Sequence, residues 1–272
     1  MIMTDHPGWL RTDDGIAYRA LATRESAALI TYTCTADDHV ISPNDAEFRM
    51  DTIVPELCLA GPADLIEPLK AAGPVARVAN PSLWDALSAA IMRQVIQAGH
   101  ARTRYVRFCT AYGEPVTRDG LTAALFPSPE RVLDLTDHQF KQLGAAFPAP
   151  VLRAAARAFL TYGQLWETLP AAELVTALQA IDRVGAWTAQ TAVADYTNDF
   201  SFYDYSDIAV QPAARRLNPD RQWPEGKRAF KAAWEDLAGR QLSAWTLLTL
   251  AWGAGNGRTL EPAGVSRPDR GQ

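Results

Sequence analysis

The feature that most constrains the fold of this 272-residue chain is a change of hydrophobic period at Asn80-Pro81-Ser82. Before it, three segments alternate in a strand-like way: AYRALA (17–22), AALITYTCTA (27–36) and EFRMDTIV (47–54). The turn clusters TADD and SPND separate them, which predicts a small antiparallel sheet. A short helix over 63–73 follows, bounded by Pro62 and Gly73-Pro74. After the change, Trp84, Leu87, Ile91 and Val95 fall on one stripe of period about 3.6, with Ser82 as N-cap. Further helical stretches follow at 101–112, 129–133, 137–143, 150–162, 170–181, 187–196, 208–217, 225–238 and 241–253. LSAWTLLTLAW (242–252) is apolar on nearly every side and reads as a buried helix too short to span a bilayer. The class is therefore mainly α with an N-terminal antiparallel β part. The organisation expected is an α+β accessory domain over 1–80, a helical body over 81–255 and a flexible tail over 256–272.

Composition then excludes whole functional classes. Hydrophobic residues at 48% and charged residues at 21% are a globular balance, neither collagen-like nor disordered. No apolar run spans a membrane, and MIMTDHPGWLRTDDG has acids where a signal peptide needs an apolar core. Cys34, Cys58 and Cys109 are too few and too scattered for a disulfide framework or a cysteine metal site, which points to the cytoplasm. His6, His39, His100 and His138 are equally scattered and suggest neither a metal site nor a triad. There is no Walker A or dinucleotide fingerprint. The net charge of −5 weighs against a simple polyanion binder. Residues 1–80, however, hold 12 acids and 6 bases, whereas the rest holds 19 acids and 20 bases. The acidity is N-terminal, so the helical body can carry a modest phosphate-binding face.

The segment 174–217 carries the chemistry. A helix with apolar Leu174, Val175, Leu178 and Ile181 meets a second helix near Ala186-Trp187-Thr188-Ala189 through the tight connection Asp182-Arg183-Val184-Gly185. The start of the second helix offers backbone N–H donors and a positive dipole end, and Gly185 permits close approach of a phosphate. On the residues alone, a generic helical hairpin remains an equal reading.

IDRVGAWTA resembles the hairpin of the helix-hairpin-helix DNA glycosylases, L-P-G-(V/I)-G-x-(K/W)-T-A. LWDALSAAIMRQVI (83–96) resembles the first core helix of that superfamily, and FPSPERVLDLTDHQFKQLG (126–144) resembles its F-P-(S/T)-P-E-x-L segment. The N-terminal sheet further resembles the 3-methyladenine DNA glycosylase II branch. The resemblance runs in order over 16–255. It implies a helix-hairpin-helix glycosylase fold and base excision repair of double-stranded DNA containing damaged bases, carried out by a monomer with no membrane partner. It leaves room for a monovalent cation at the hairpin and implies no other cofactor or metal. The four cysteines of the iron–sulfur branches are missing.

The resemblance also implies site residues. Asp207, in Tyr205-Ser206-Asp207-Ile208, takes the catalytic aspartate position at the start of the next helix. The same Asp suits a helix N-cap, the structural alternative. Trp187 stands where bifunctional members carry a Schiff-base lysine, so a water nucleophile and a monofunctional enzyme for alkylated purines are implied. Such a base is cationic, and Trp187, Trp252, Tyr203 and Tyr205 are the rings to hold it by cation–π contact. Arg183, Val184, Gly185 and Thr188 are the DNA-binding hairpin residues, with Phe147 as the wedge that fills the gap left by a flipped base. Arg102, Arg104, Arg107, Arg215 and Arg216 are either phosphate contacts or a solvated face. The chain departs from the family pattern in Asp182-Arg183, where Pro-Gly is usual, and in Thr191, where a base-stacking tyrosine is common. The glycine matters because that position takes φ > 0. Two other classes remain open: a non-catalytic DNA-binding module, and an N-glycosidase acting on nucleosides or other small substrates.

Overall fold

The computed structural model describes residues 1–23, 26–34, 39–42, 48–206 and 209–256. Strands β1 (Leu10–Arg11), β2 (Ala17–Ala22), β3 (Ala27–Cys34) and β4 (His39–Ser42) form an antiparallel sheet in sequence order. Strand β5 (Met50–Ile53) pairs with β6 (Val75–Val78), and helices α1 (Pro55–Cys58) and α2 (Ala63–Ala72) lie between them in sequence. Helix α3 (Leu83–Met92) is buried along its whole length and starts at Ser82, whose hydroxyl accepts from the Asp85 N–H at 3.2 Å. Helix α4 (Ala98–Tyr112) leads into a hairpin of β7 (Pro115–Arg118) and β8 (Leu121–Ala124). Then come α5 (Pro129–Asp134), α6 (Asp137–Gln142), α7 (Ala149–Trp166), α8 (Ala171–Gln179), α9 (Ala186–Thr197), α10 (Val210–Leu217), α11 (Lys227–Ala238) and α12 (Leu242–Asn256). The protein is mostly helical with an N-terminal antiparallel sheet, the class its periodicity predicts. No helix among the described residues is long and apolar enough to cross a membrane.

The chain divides into two compact units: Met1–Val54 with Pro74–Asp204, and Pro55–Gly73 with Tyr205–Gln272. In the first, one face of the N-terminal sheet packs Ala17, Leu21, Ile30 and Tyr32 with Trp9 and Val78. The other face lays Ala20 and Leu29 against Ala123 of the β7–β8 hairpin. The larger core joins α3, α7, α8 and α9 with a stack of Phe108, Phe126 and Phe140. In the second unit Trp223, Phe230, Trp234 and Trp245 pack ring on ring, and the Trp234 indole donates to Thr246 Oγ1 at 3.2 Å.

Several expectations change. Val95 does not extend the α3 stripe: the helix ends at Met92, and Val95 stands 91% exposed at φ +55°. The β7–β8 hairpin interrupts the helical body, its Asp119-Gly120 corner having both φ positive, as a two-residue type I′ turn needs. Strands β1, β4 and β6 add to the predicted three, and β5 is confined to Met50–Ile53. Helix α10 starts at Val210, so Pro212 sits in its first turn, where a missing N–H costs nothing. Helix α12 continues through Gly253 to Asn256. That glycine serves packing, because a Cβ there would lie 2.8 Å from Ala213 Cβ.

Candidate functional site

The connection from α8 to α9 is pinned by its apolar members. Leu178, Ile181 and Val184 are buried in the main core, and the Val184 N–H closes a turn onto the Ile181 carbonyl at 3.0 Å. Asp182 and Arg183 project outward between these anchors as an exposed ion pair of 3.8 Å. The turn forces φ +62° on Arg183, the position where the usual glycine is missing. That left-handed conformation costs an L-residue about 1–2 kcal/mol. Gly185 caps α9 at φ −79° and ψ 176°, an ordinary extended conformation, so nothing in the backbone demands glycine. A Cβ added there would meet nothing within 4 Å. The α9 start is therefore an exposed helix N-terminus with a bare backbone approach.

A second loop is fastened to this hairpin. Gln94, just past α3, donates through Nε2 to the Arg183 carbonyl (3.3 Å) and to Thr188 Oγ1 (2.9 Å). The next residue is the exposed Val95, a β-branched side chain in the left-handed region, where such residues are genuine outliers. Its apolar side chain and its spacing four residues after Ile91 make it read in the sequence as the last core position of α3.

The other predicted residues divide clearly. Trp187 is half-buried at the start of α9, whereas Thr188 is buried with its hydroxyl engaged by Gln94. Tyr203 is buried and stacked on Phe200. Phe147 is 61% exposed on the loop before α7. Arg102 donates to the Trp9 and Thr4 carbonyls and so serves the fold, while Arg104 reaches the Met92 carbonyl at the α3 terminus and Arg107 is exposed. In the second unit Tyr205 is buried, donates to Glu235 and lies under the Lys231 ammonium. Trp252 is half-buried with the Arg216 guanidinium 6.0 Å from its ring, and Arg215 donates to the Pro224 carbonyl. Asp207 lies outside the described residues. Among the described residues no three His, Cys, Asp or Glu side chains come together in a way that could hold a metal ion.

Sequence reasoning missed a buried ionic cluster in the first unit. Asp85 on α3 and Asp195 on α9 are bridged by Asn80, whose amide gives one hydrogen to each, at 3.1 and 2.9 Å. Arg19 from β2 donates to Asp85 at 2.9 Å, and the Tyr105 hydroxyl donates to its other oxygen. Arg77 from β6 grips Asp5 with a two-point fork (3.0 and 2.9 Å) while also binding Asp195 and Asn198. Burial alone would raise the Asp195 carboxyl, but Arg77 and Arg19 hold it below its ordinary value, and Asp5 behaves likewise beside Arg77. His6 accepts the Gly8 N–H on Nδ1 and aims Nε2 at both aspartates, 3.7 Å from each. Burial, reinforced by Arg19, pushes its pKa well below 6.5.

Solved structures share this arrangement of elements. A structure of MBOgg1 in complex with a low affinity DNA ligand aligns over 93% of this chain and 90% of its own, with TM-score 0.70 and 15% identity. The Clostridium acetobutylicum 8-oxoguanine glycosylase/lyase, in complex with DNA containing cytosine opposite 8-oxoG, aligns over 94% and 90% with TM-score 0.69 and 14% identity. The chain has a DNA glycosylase fold. The 3-methyladenine DNA glycosylase of Archaeoglobus fulgidus matches this glycosylase fold as well as the others, over 94% and 91% with TM-score 0.69 and 17% identity. No protein-family model and no curated protein sequence matches the chain. The α8–α9 connection is the place where the resemblance puts the helix-hairpin-helix element.

Proposed function

We propose that the chain is a DNA glycosylase, a monofunctional hydrolase that cuts the N-glycosidic bond of alkylated, 3-methyladenine-type purines in double-stranded DNA. The observation that carries this reading is the concentration of strain and exposure at one end of the α3–α9 pair. Arg183 and Val95 are both held in left-handed conformations and joined through Gln94, beside an uncovered Gly185. Strain of this kind persists where the surroundings over-determine it, and it collects at functional sites. A duplex explains each element. Gly185 and the α9 terminus receive a phosphate. Arg183 neutralises a neighbouring phosphate, and Val95 fills the space of the flipped base. Val95 suits that role better than Phe147 because Gln94 fastens its loop to the hairpin.

Trp187 has no amine, so it cannot form a Schiff base with the sugar. Its half-buried indole instead offers an electron-rich face to a cationic base, a contact of roughly 0.5–2 kcal/mol. Asp207 is the carboxylate we assign to the oxocarbenium-like charge and the attacking water. The test is base release from methylated duplex DNA and from duplex containing 8-oxoguanine, with wild type and Asp207→Asn, each repeated with borohydride. We expect release of methylated purine, a loss on the order of 10²–10³ in the variant, and no protein trapped on DNA. Equal release by both proteins removes Asp207 from the mechanism. Borohydride trapping overturns the monofunctional assignment.

A further inference from the structure

Helices α3 and α9 run antiparallel: Asp85 at the start of one meets Asp195 near the end of the other through Asn80, and Gln94 beyond the first meets Thr188 at the start of the second. Buried small residues recur along both helices. Ala86, Ser88, Ala89 and Ala90 on α3, and Ala189 and Ala192 on α9, are all buried. Small side chains make shallow ridges, so they oppose sliding of one helix along the other less than large ones do. Polar contacts do not compensate at mid-length, because the buried hydroxyls of Ser88 and Thr191 have no hydrogen-bond partner. The register of the pair is therefore set at its two ends. One end is the Gln94 clasp on the hairpin. The other is the ionic cluster, about 10–14 Å along the helices at 1.5 Å per residue.

We propose that Arg77 and Asp195 are positioning residues: together they lock the register of α9 against α3 and so place the hairpin relative to the Val95 loop. The inference rests on the reading of that hairpin as the DNA-engaging end of a glycosylase. The chemistry suits a lock. Arg77 spends its planar fork on Asp5, then reaches Asp195 and Asn198, so one guanidinium ties the N-terminal segment to the last turn of α9. The Arg77 guanidinium also lies 4.9 Å from the Phe200 ring, and the Asn198 amide returns to the Arg77 carbonyl at 3.0 Å and to Asp51 at 2.9 Å. The N-terminal strands thereby supply the cations that fasten one end of the helix pair. A displacement of order 1 Å at a catalytic geometry costs about a hundredfold in rate.

The test removes both charges of the lock, and with Arg77 the cation that Asp5 faces. Arg77→Met combined with Asp195→Asn replaces the pair by neutral groups of similar size, and Arg77→Lys keeps the charge but loses the fork. Amide hydrogen exchange over residues 183–189 is measured without DNA, and kcat and KM for base release are measured on methylated duplex. We expect the double variant to unfold cooperatively, to exchange at the hairpin at least about tenfold faster, and to lose roughly ten- to a hundredfold in kcat with KM within about threefold. Arg77→Lys should recover part of both losses. Wild-type exchange and kcat in a folded double variant overturn the proposal. If the double variant does not fold, Arg77→Lys decides: hairpin exchange at the wild-type rate overturns the lock, and faster exchange supports it. A wild-type protein that releases no base from any duplex defeats the functional reading instead, and the exchange measurement still decides the lock.

Discussion

Arg183→Gly should stabilise the protein while weakening its hold on DNA. Removing the side chain relieves a left-handed conformation that costs an L-residue about 1–2 kcal/mol. Glycine returns about 0.4–1 kcal/mol of that through its greater freedom in the unfolded chain. The ion pair lost is 3.8 Å long between side chains 66% and 81% exposed, and such pairs contribute almost nothing. The Gln94 bond accepts at the Arg183 backbone carbonyl and survives the change. The net is a gain of about 0.5–1 kcal/mol, or a rise of about 1–4 °C in Tm for a chain of this size. Binding moves the other way. One fewer phosphate neutralised makes the slope of log K against log salt shallower by about 0.9. Circular-dichroism melts and duplex titrations between 50 and 200 mM salt (about a fourfold range) read both quantities. A lower Tm refutes the strain argument, because it means that Arg183 makes contacts worth more than its backbone costs. An unchanged salt slope refutes the phosphate role.

The same logic gives three further expectations. Val95→Gly should raise stability by about 1 kcal/mol by relieving φ +55° at an exposed site, yet lower base release at least about tenfold, whereas Phe147→Ala should leave release near wild type; the opposite ranking returns the wedge to Phe147. Gly185→Ala should change stability by less than about 0.5 kcal/mol, since reduced unfolded-state freedom offsets a poorer N-cap, while its new methyl weakens duplex binding. His6 is held neutral in the fold, with its pKa well below 6.5, so the unfolded chain binds the extra proton first. Stability should then fall as pH drops below 6.5, by up to about 1.4 kcal/mol per pH unit, and His6→Gln should flatten that limb in urea titrations. A second loss follows below pH 3.8, as Asp5 and Asp195 are protonated against their lowered folded pKa values.

What was legible in the sequence was whatever a local period or a single residue type could announce. The helices from α3 to α12 followed from apolar stripes and caps, Ser82 among them, and the α8–α9 hairpin from Val184-Gly185 between two such stripes. The strain at Arg183 was legible too, from the absence of glycine. Val95 was misread because an apolar residue four after Ile91 continues a helical stripe on paper, and only the α3 terminus at Met92 shows that it has left the core. The Asp119-Gly120 corner was a readable hairpin signal that the surrounding helical pattern masked. The ionic cluster had no local signature at all. Its members stand at 5, 6, 19, 77, 80, 85, 105, 195 and 198, on six different segments, and each alone resembles an ordinary polar or charged residue. Only the fold brings them together, and only burial makes their pairing obligatory.

The strained end and the ionic end of the α3–α9 pair have a common explanation. Among the described residues, four non-glycine residues have positive φ: Val95, Asp119, Arg183 and Asn198. Asp and Asn tolerate that region, and Asp119 and Asn198 occupy a hairpin corner and a helix C-cap, where it is useful. Val95 and Arg183 have no such excuse, and together they cost about 2–4 kcal/mol, comparable with a sizeable part of a domain's net stability. A free hairpin would relax by changing the turn. It cannot, because Ile181 and Val184 are sunk in the core on either side, and Gln94 grips the Arg183 carbonyl from α3. That grip is only as firm as the register of α3 against α9, and the register is held where Arg77 meets Asp195. Strain at the hairpin and charge in the interior are thus two ends of one rigid element. Loosening the buried end should let the exposed end relax, which is why a substitution at Arg77 is expected to be felt at Gly185.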